Sequence, residues 1–360
     1  MAFYKCPRFV QPDVTEGIFG AEWDGSSSTA WTRTDNAANF PEPNPAVNNG
    51  TGSSPFDNIM PWAGMQRVED SEAGALVSIP KYWYKWTRTG SAMKLQIANI
   101  PKTGFLVSPA HADRGDGVGE RDIVYVGRYH CGSNYKSVSG QQPLGNVTRA
   151  NFRTNIHNLG STIWQYDFAM YWTIMMLYLV EYANWNSQAV IGYGCSPNNE
   201  YFNMGYTDDM QYHTGTTAAS RTTYGGTQYR HIEGLWDNVF DWCDGIYFSS
   251  TNVYCIKNPA NFSDTSGGTL VGTRASSSGF ISGWTNPTTS GFEYALYPNA
   301  VNGSETTYVC DQCSYGAGVT LYVGGYRYQS QNYGAFYLNG NYGDASFSNF
   351  YIGSRVMKLP

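Results

Sequence analysis

The chain has little charge. Of its 360 residues, 14% are Asp, Glu, Lys or Arg, and the net charge is −6. Lys and Arg cluster nowhere, which argues against nucleic acid as a partner, because phosphate binding wants a basic face. Long hydrophobic runs are also missing. The longest, residues 168–180, is rich in Met and Tyr, is flanked by Asp167 and Glu181, and is too short to span a bilayer. No membrane insertion is expected. The opening Met1-Ala2-Phe3-Tyr4-Lys5-Cys6-Pro7 lacks the apolar stretch of a secretion signal. The expectation is a protein made in the cytoplasm and kept there or released by lysis. Cysteine is sparse: seven residues, at positions 6, 131, 195, 243, 255, 310 and 313. An odd, scattered set reads as free buried thiols rather than a disulfide framework. There is no His-x-x-x-His pair, no Gly-x-Ser-x-Gly elbow, no phosphate loop and no internal repeat.

Aromatics and glycine are abundant instead, at 16% and 40 residues. That combination predicts a rigid, loop-rich β or α+β protein of one large or two medium domains, and the aromatics can bury enough surface to oppose disorder. Residues 1–75 read as irregular. Their Pro/Asn/Gly/Ser-rich part, 36–58, has loop chemistry, while Trp31, Phe40, Phe56 and Trp62 predict that it packs onto the body. Ala75-Leu76-Val77-Ser78-Ile79-Pro80 and Tyr82-Trp83-Tyr84-Lys85-Trp86 read as paired strands, and residues 122–129 as another. A helix is expected over 148–158, with Gly160 as its C-terminal cap. A second is expected over 164–182, starting near Asp167, where Phe168, Tyr171, Met175, Leu179 and Tyr182 recur at helical spacing. It is apolar nearly all round and should be central and buried. Later strands are read at Thr307-Tyr308-Val309-Cys310 and Val319-Thr320-Leu321-Tyr322-Val323.

Few groups nominate chemistry. Cys310-Asp311-Gln312-Cys313 offers a redox or metal half-site, but no second pair follows and no βαβ pattern surrounds it. Asp113, Asp116, Glu120 and Asp122 lie in a Gly-rich loop whose spacing is not that of an EF-hand and which Arg114 and Arg121 partly neutralise, so a solvated turn is preferred over a calcium site. The five histidines, 111, 130, 157, 213 and 231, form no recognisable set. Residues 229–245 form the densest motif. Trp236, Phe240 and Trp242 are expected as core anchors, with Asp237, Asn238 and Asp241 bonding the loop backbone around them; a nucleophile with a base is missing. No catalytic residue, metal or cofactor is expected.

The C-terminal segment differs from the rest. After Gly324-Gly325, the run to Val356 is dominated by Tyr, Asn, Ser, Gly and Phe. It has too few aliphatics for an ordinary core and too many aromatics for a disordered tail. Tyr supplies large contact area with two torsions to freeze, and Ser and Asn supply adaptable hydrogen bonds, so this composition predicts a recognition surface.

Two motifs carry a family resemblance. Gly234-Leu235-Trp236-Asp237-Asn238-Val239-Phe240-Asp241-Trp242 resembles the Gly-Asn-Val-Trp-Glu-Trp motif of the formylglycine-generating-enzyme branch of the C-type lectin fold, and Ile352-Gly353-Ser354-Arg355-Val356 resembles its closing strand. Blocks such as Glu22-Trp23-Asp24-Gly25, Ser54-Pro55-Phe56-Asp57-Asn58, Met60-Pro61-Trp62 and Ile79-Pro80-Lys81-Tyr82-Trp83-Tyr84-Lys85 are similar to a family of phage tail-associated proteins. Residues 320–356 resemble the variable region of proteins diversified by diversity-generating retroelements.

The resemblance implies an α+β, C-type lectin-like domain over 76–360, with two buried helices and a Gly/aromatic-rich, loop-rich C-terminal half. Residues 1–75 would pack on it and serve in particle attachment. Tyr326, Tyr328, Tyr333, Tyr337, Asn339, Asn341, Tyr342, Asp344, Phe347, Phe350 and Tyr351 would form the outward, replaceable ligand face. Gly324, Gly325, Gly334, Ala335, Phe336, Leu338, Ile352, Gly353 and Arg355 would hold the frame. The implied function is receptor binding at a phage tail or fibre tip. The virion protein would be made in the bacterial cytoplasm. Its partners would be a host cell-surface glycan or protein and other tail proteins, and it would act as a homotrimer. Two alternatives remain: a structural decoration of the virion without a ligand, and an oxidase of the formylglycine-generating type. The enzymes of that branch bind copper through two cysteines near the end; here Cys310 and Cys313 lie far upstream of Arg355 and close together.

Overall fold

The computed structural model describes residues 16–194, 201–218, 225–327, 332–341 and 345–360. The protein is mostly β with few helices, compatible with the α+β class. The helices stand where their caps put them. Thr148 accepts the Asn151 N–H at 3.1 Å and starts α1, Arg149–His157. Asp167 accepts the Met170 N–H at 2.7 Å and starts α2, Phe168–Tyr182, every residue of which is buried; a short α3, Ser187–Val190, follows. These are side-chain N-caps of the usual kind. Gly160 is not a cap: α1 ends at Asn158 in right-handed conformation. α2 packs against strands Ile18–Trp23 and Ala92–Ala98 and against Phe240–Ser249. It is bolted in place through its own backbone, since the Trp62 indole N–H donates to Leu177 O at 3.1 Å and the Tyr82 hydroxyl to Thr173 O at 2.7 Å.

Two five-stranded antiparallel sheets serve the N-terminal half. One runs Trp31–Asp35, Ile18–Trp23, Ala92–Ala98, Trp83–Thr89, Leu106–Val107. The other runs Ile163–Gln165, Val356–Lys358, Ile123–Gly127, Gly74–Pro80, Arg67–Asp70. The expected pairing of 75–80 with 82–86 is therefore wrong, because the two strands belong to different sheets. A two-residue hairpin turn needs positive φ, which neither Lys81 nor Tyr82 has, and the buried Tyr82 steps across to α2 instead. Residues 16–75 are also more regular than expected: strands Ile18–Trp23 and Trp31–Asp35 share a sheet with Ala92–Ala98, so the chain on either side of position 75 is one structure.

The nine-stranded sheet of the C-terminal half is built around the ten-residue strand Phe240–Ser249. That strand pairs antiparallel with Asn252–Cys255 and Thr320–Val323, and parallel with Ile352–Gly353. Leu338–Gly340 lies between Thr320–Val323 and Gln312–Tyr315. Residues 307–310 do not form the expected strand. Tyr308 has φ +57, its N–H donates to Ser26 O at 2.7 Å and its carbonyl accepts from Ser28 Oγ at 3.2 Å, so this backbone is spent on the N-terminal loop. The main core runs from Phe19 to Leu359 and includes all of α2's large apolar residues; a smaller one gathers Phe240, Trp242, Tyr322, Tyr337 and Ile352. Among the described residues, no helix is long and apolar enough to cross a membrane.

Candidate functional site: the C-terminal aromatic face

The frame beneath the face is set by residues 234–242. Gly324 adopts φ +79, and a Cβ there would lie 2.3 Å from Leu235 O, so the backbone of the Gly324-Gly325 turn can approach this segment only without side chains. Asn238, itself at φ +59, ties three segments together. Its side chain accepts the Phe202 N–H at 3.0 Å and donates to Phe202 O at 3.1 Å, while its carbonyl accepts from the Arg327 N–H at 3.3 Å. Asp237 accepts the Thr227 N–H at 2.6 Å and its hydroxyl at 2.8 Å. Arg355 is buried, donating to Asp241 Oδ2 and to Gly234 O, both at 2.6 Å. Trp236 and Trp242 are buried and donate to Gly192 O and Val147 O, each at 3.0 Å. The core anchors expected in this motif are buried, and Asp237 and Asn238 bond loop backbone as expected, whereas Asp241 pairs with the Arg355 side chain instead.

A second clamp was not foreseen. Asp311 accepts the Gly334 N–H at 2.8 Å and the Phe336 N–H at 2.9 Å, while Ser187 Oγ accepts the Ala335 N–H at 3.0 Å and Tyr171 donates to Ala335 O at 3.0 Å. The turn 334–336 is thus held from α2, α3 and residue 311 at once. Burial pushes the Asp311 carboxyl up to about 7, opposed by the two backbone donors. Gly324, Gly325, Gly334, Ala335, Phe336, Leu338, Ile352, Gly353 and Arg355 are all buried, as their assignment to the frame requires.

The residues expected on the face divide by burial. Tyr326, Tyr333, Asn341, Phe347 and Tyr351 are half-buried, and Phe350 is 47% exposed. The rings, without Asn341, form a connected aromatic cluster over the smaller core. Phe240 lies 5.0 Å from Tyr326 and 6.1 Å from Tyr351; Tyr326 and Tyr351 are 5.2 Å apart, Phe350 and Tyr351 5.3 Å, and Trp242 and Phe347 6.3 Å. Two expected face residues point inward. Tyr337 is 3% exposed and stacks on Phe240 at 5.5 Å, and Asn339 is 4% exposed, donating to the Tyr337 hydroxyl at 2.7 Å. Leu338–Gly340 is an inner strand of the large sheet, so these side chains belong to the support rather than the contact surface. Tyr328, Tyr342 and Asp344 lie outside the described residues.

Arg327 and Tyr201 join this face without having been singled out from sequence. The Arg327 guanidinium lies 3.7 Å from the Tyr201 ring centre and 5.4 Å from that of Phe350, and the Tyr201 hydroxyl donates to the Phe350 carbonyl. A lone cation within a tyrosine-rich run was the only signal available. Chemically, the face offers planar apolar rings with hydroxyl and amide edges, suited to non-covalent contact.

The other candidates resolve as structure. Cys310 and Cys313 are buried; burial raises both thiols, Cys313 to about 12, opposite to what a thiolate nucleophile or ligand needs. Asp113 and Asp116 accept from the backbone of Gly115 and Val118 within their own turn, and no group of three or more His, Cys, Asp or Glu suited to a metal occurs among the described residues. His213 bridges Asp57 Oδ1 and Thr214 Oγ1, each at 2.8 Å, but Thr214 is fully buried and its oxygen also accepts the Arg230 N–H at 3.0 Å. That hydroxyl is out of reach of a substrate. His111 is buried between Ser108 Oγ and Ile79 O, and burial lowers it to about 4.

No protein-family model matches the chain, and no curated protein matches it.

Proposed function

We propose that the chain is the receptor-binding protein of a phage tail or fibre tip, with a C-type lectin-like fold. Its C-terminal aromatic face would engage a glycan or protein on the host cell surface. The sequence motifs at 234–242 and 352–356 bring the resemblance. The structural observation that supports it most directly is the division within residues 324–356: buried glycines and apolar residues fixed by Asp311, Asn238 and Arg355, and half-exposed rings of Tyr326, Tyr333, Phe347, Phe350 and Tyr351 over them. A rigid support lets surface residues be exchanged without loss of the fold, and rigid aromatic anchors bind at low entropic cost. Assembly as a homotrimer with neighbouring tail proteins would add multivalency, turning weak single-site contact into firm attachment.

The test is adsorption of the purified protein to a panel of bacterial cells, with and without Tyr326→Ala, Phe350→Ala and Tyr351→Ala combined. Loss of adsorption with an intact melting transition supports the reading. Undiminished adsorption overturns it and leaves this face as part of a virion decoration.

A further inference from the structure

A cavity of about 370 Å³ opens between the edge strand Leu106–Val107, its neighbour Trp83–Thr89, the loop leading to Arg114, and the segments around Lys257 and Glu293. It shares no residue with the C-terminal face. Two tyrosines that line it are more than nine-tenths buried, Tyr84 at 2% exposed and Tyr294 at 6%, and neither hydroxyl has a hydrogen-bond partner among the described residues. The fold does seal some unpartnered polar atoms completely, Arg114 Nη1 beside this cavity among them, but neither tyrosine hydroxyl is one of these, so each keeps accessible surface. A hydroxyl taken largely out of water without a partner is costly, and here two such groups border one opening. Neither ring is loose. Tyr84 stands in a strand paired on both sides, opposite Ile97 and Leu106, and Tyr294 packs against Phe292 at 6.3 Å and Phe168 at 6.4 Å, so both hydroxyls are held in place before any ligand arrives.

The charges around the cavity define what would fit. Glu293, half-buried, accepts the Gly291 N–H at 2.8 Å through Oε2 and forms no ion pair among the described residues. Lys257, also half-buried, reaches the same glycine, where its ammonium would crowd a Cβ. It too makes no ion pair or hydrogen bond among the described residues, and its ammonium lies 5.9 Å from the Phe292 ring centre. A carboxylate and an ammonium thus stand around one glycine without joining each other. The other charged lining residues are engaged: Arg114 pairs with the buried Asp167, Glu120 lies 3.7 Å from Lys81, and the exposed Asp113 accepts the Gly115 N–H at 2.8 Å within its own turn. An ion of one sign would be drawn by Glu293 or Lys257 and repelled by the other, whereas a ligand carrying both charges meets both. Phe105, Leu106 and Pro109 add an apolar wall. The volume lies at the low end of small-molecule pockets, about 300–1,000 Å³.

We propose that this cavity binds a small zwitterion, an α-amino acid with an apolar side chain. Its ammonium group sits on Glu293 and its carboxylate on Lys257, the Tyr84 and Tyr294 hydroxyls bond the same head group, and its side chain lies on the apolar wall. The site does not depend on the receptor-binding reading of the C-terminal face. Calorimetry on the full chain with L-valine, L-leucine and L-phenylalanine tests it. At least one should bind. The amine and the acid that each lack one charge of the best binder (isoamylamine and isocaproate for leucine) should bind about tenfold more weakly or worse, the value of one hydrogen bond to a charged group. Glu293→Gln and Lys257→Met should each cost about as much. Tyr84→Phe deletes a hydroxyl that has no partner in the fold, so it should leave the melting temperature unchanged or raise it. It should weaken binding by roughly three- to tenfold, the value of one neutral hydrogen bond. Tyr326→Ala should leave amino-acid binding intact, which separates this site from the C-terminal face. Absence of binding by all three amino acids overturns the proposal, as does a single-charge analogue that binds as tightly as its amino acid, or binding that survives both Glu293→Gln and Lys257→Met.

Discussion

The guanidinium of Arg327 lies 3.7 Å from the centre of the Tyr201 ring, joining two segments far apart in the chain. Arg327 is only 3% exposed, and Asn238 holds the same two segments from below, through Phe202 on one side and the Arg327 N–H on the other. The aromatic face is therefore stapled to Tyr201 and Phe202 from two directions. A buried cation over a ring contributes about 0.5–2 kcal/mol.

Arg327→Met keeps the aliphatic bulk and removes the planar charge. It should destabilise the protein by about 0.5–2 kcal/mol, seen as a lower midpoint in denaturant unfolding. Arg327→Lys should not restore it fully, because an ammonium group lacks the flat guanidinium that stacks on a ring. Equal midpoints for wild type and Arg327→Met would show that the contact carries no stability.

Gly334→Ala tests the Asp311 clamp. A Cβ at this position would stand 2.8 Å from both Asp311 carboxylate oxygens and from Ser187 Oγ, so either the turn or the carboxylate must move. Strain together with a weakened pair of buried hydrogen bonds should cost about 1–3 kcal/mol. A fall in melting temperature, with ligand or cell binding lost near it, is the expected result. A neutral effect would mean that Asp311 shifts freely, contrary to its two-point hold on Gly334 and Phe336.

The same carboxyl gives a pH dependence. Burial raises Asp311 to about 7, above its unfolded value of about 3.9, so the folded state binds a proton more tightly than the unfolded state in between. Its stabilising contribution is complete below about pH 4 and fades as the pH rises through 7. Glu233, also raised by burial to about 7, acts with the same sign in the same window. Asp311→Asn should therefore flatten the stability profile between pH 4 and 7 without abolishing its slope. A profile parallel to that of wild type would show that Asp311 does not titrate there.

How much of this was legible in the sequence varies with the kind of signal. α2 could be read because Asp167 caps an uninterrupted apolar stretch; the frame residues Phe336, Leu338 and Ile352, all buried, were named by the family resemblance rather than by any local pattern. Tyr337 and Asn339 were misread because composition treats Tyr and Asn as surface residues. What buries them is the insertion of Leu338–Gly340 between two other strands, a long-range pairing with no local mark. The expected pairing of 75–80 with 82–86 failed for a similar reason: two strand-like runs separated only by Lys81 look paired, yet each finds its neighbours elsewhere. Arg327 with Tyr201, and Tyr84 with Tyr294, come together only in the folded chain. Asp311 drew notice as part of a cysteine pair, whereas its role is to hold the backbone of the face.

The link between the 234–242 segment and the chain's closing strand rests on Arg355 and Asp241, paired at 2.6 Å in full burial. Removing one partner of a buried pair strands the other's charge, at a cost of about 3–5 kcal/mol. Arg355→Met and Asp241→Asn should each approach that loss in denaturant unfolding. The double variant should lose clearly less than the sum, because no uncompensated charge is left inside. His130 stands 3.0 Å from Arg355 Nη2, and burial and the Arg355 charge keep it neutral, so it cannot take over as the counter-charge at Asp241 without Arg355 being removed first. In Arg355→Met the opposing charge is gone while burial persists, and His130, 3.6 Å from Asp241 Oδ2, gains that carboxylate as a counter-charge that favours its protonation. The Arg355→Met defect should then shrink as the pH falls below that of an ordinary histidine, about 6.5. The defect of Asp241→Asn should not shrink. A pH-independent defect in Arg355→Met would mean that the interior stays closed to protonation and that the pair, not its surroundings, carries the whole cost.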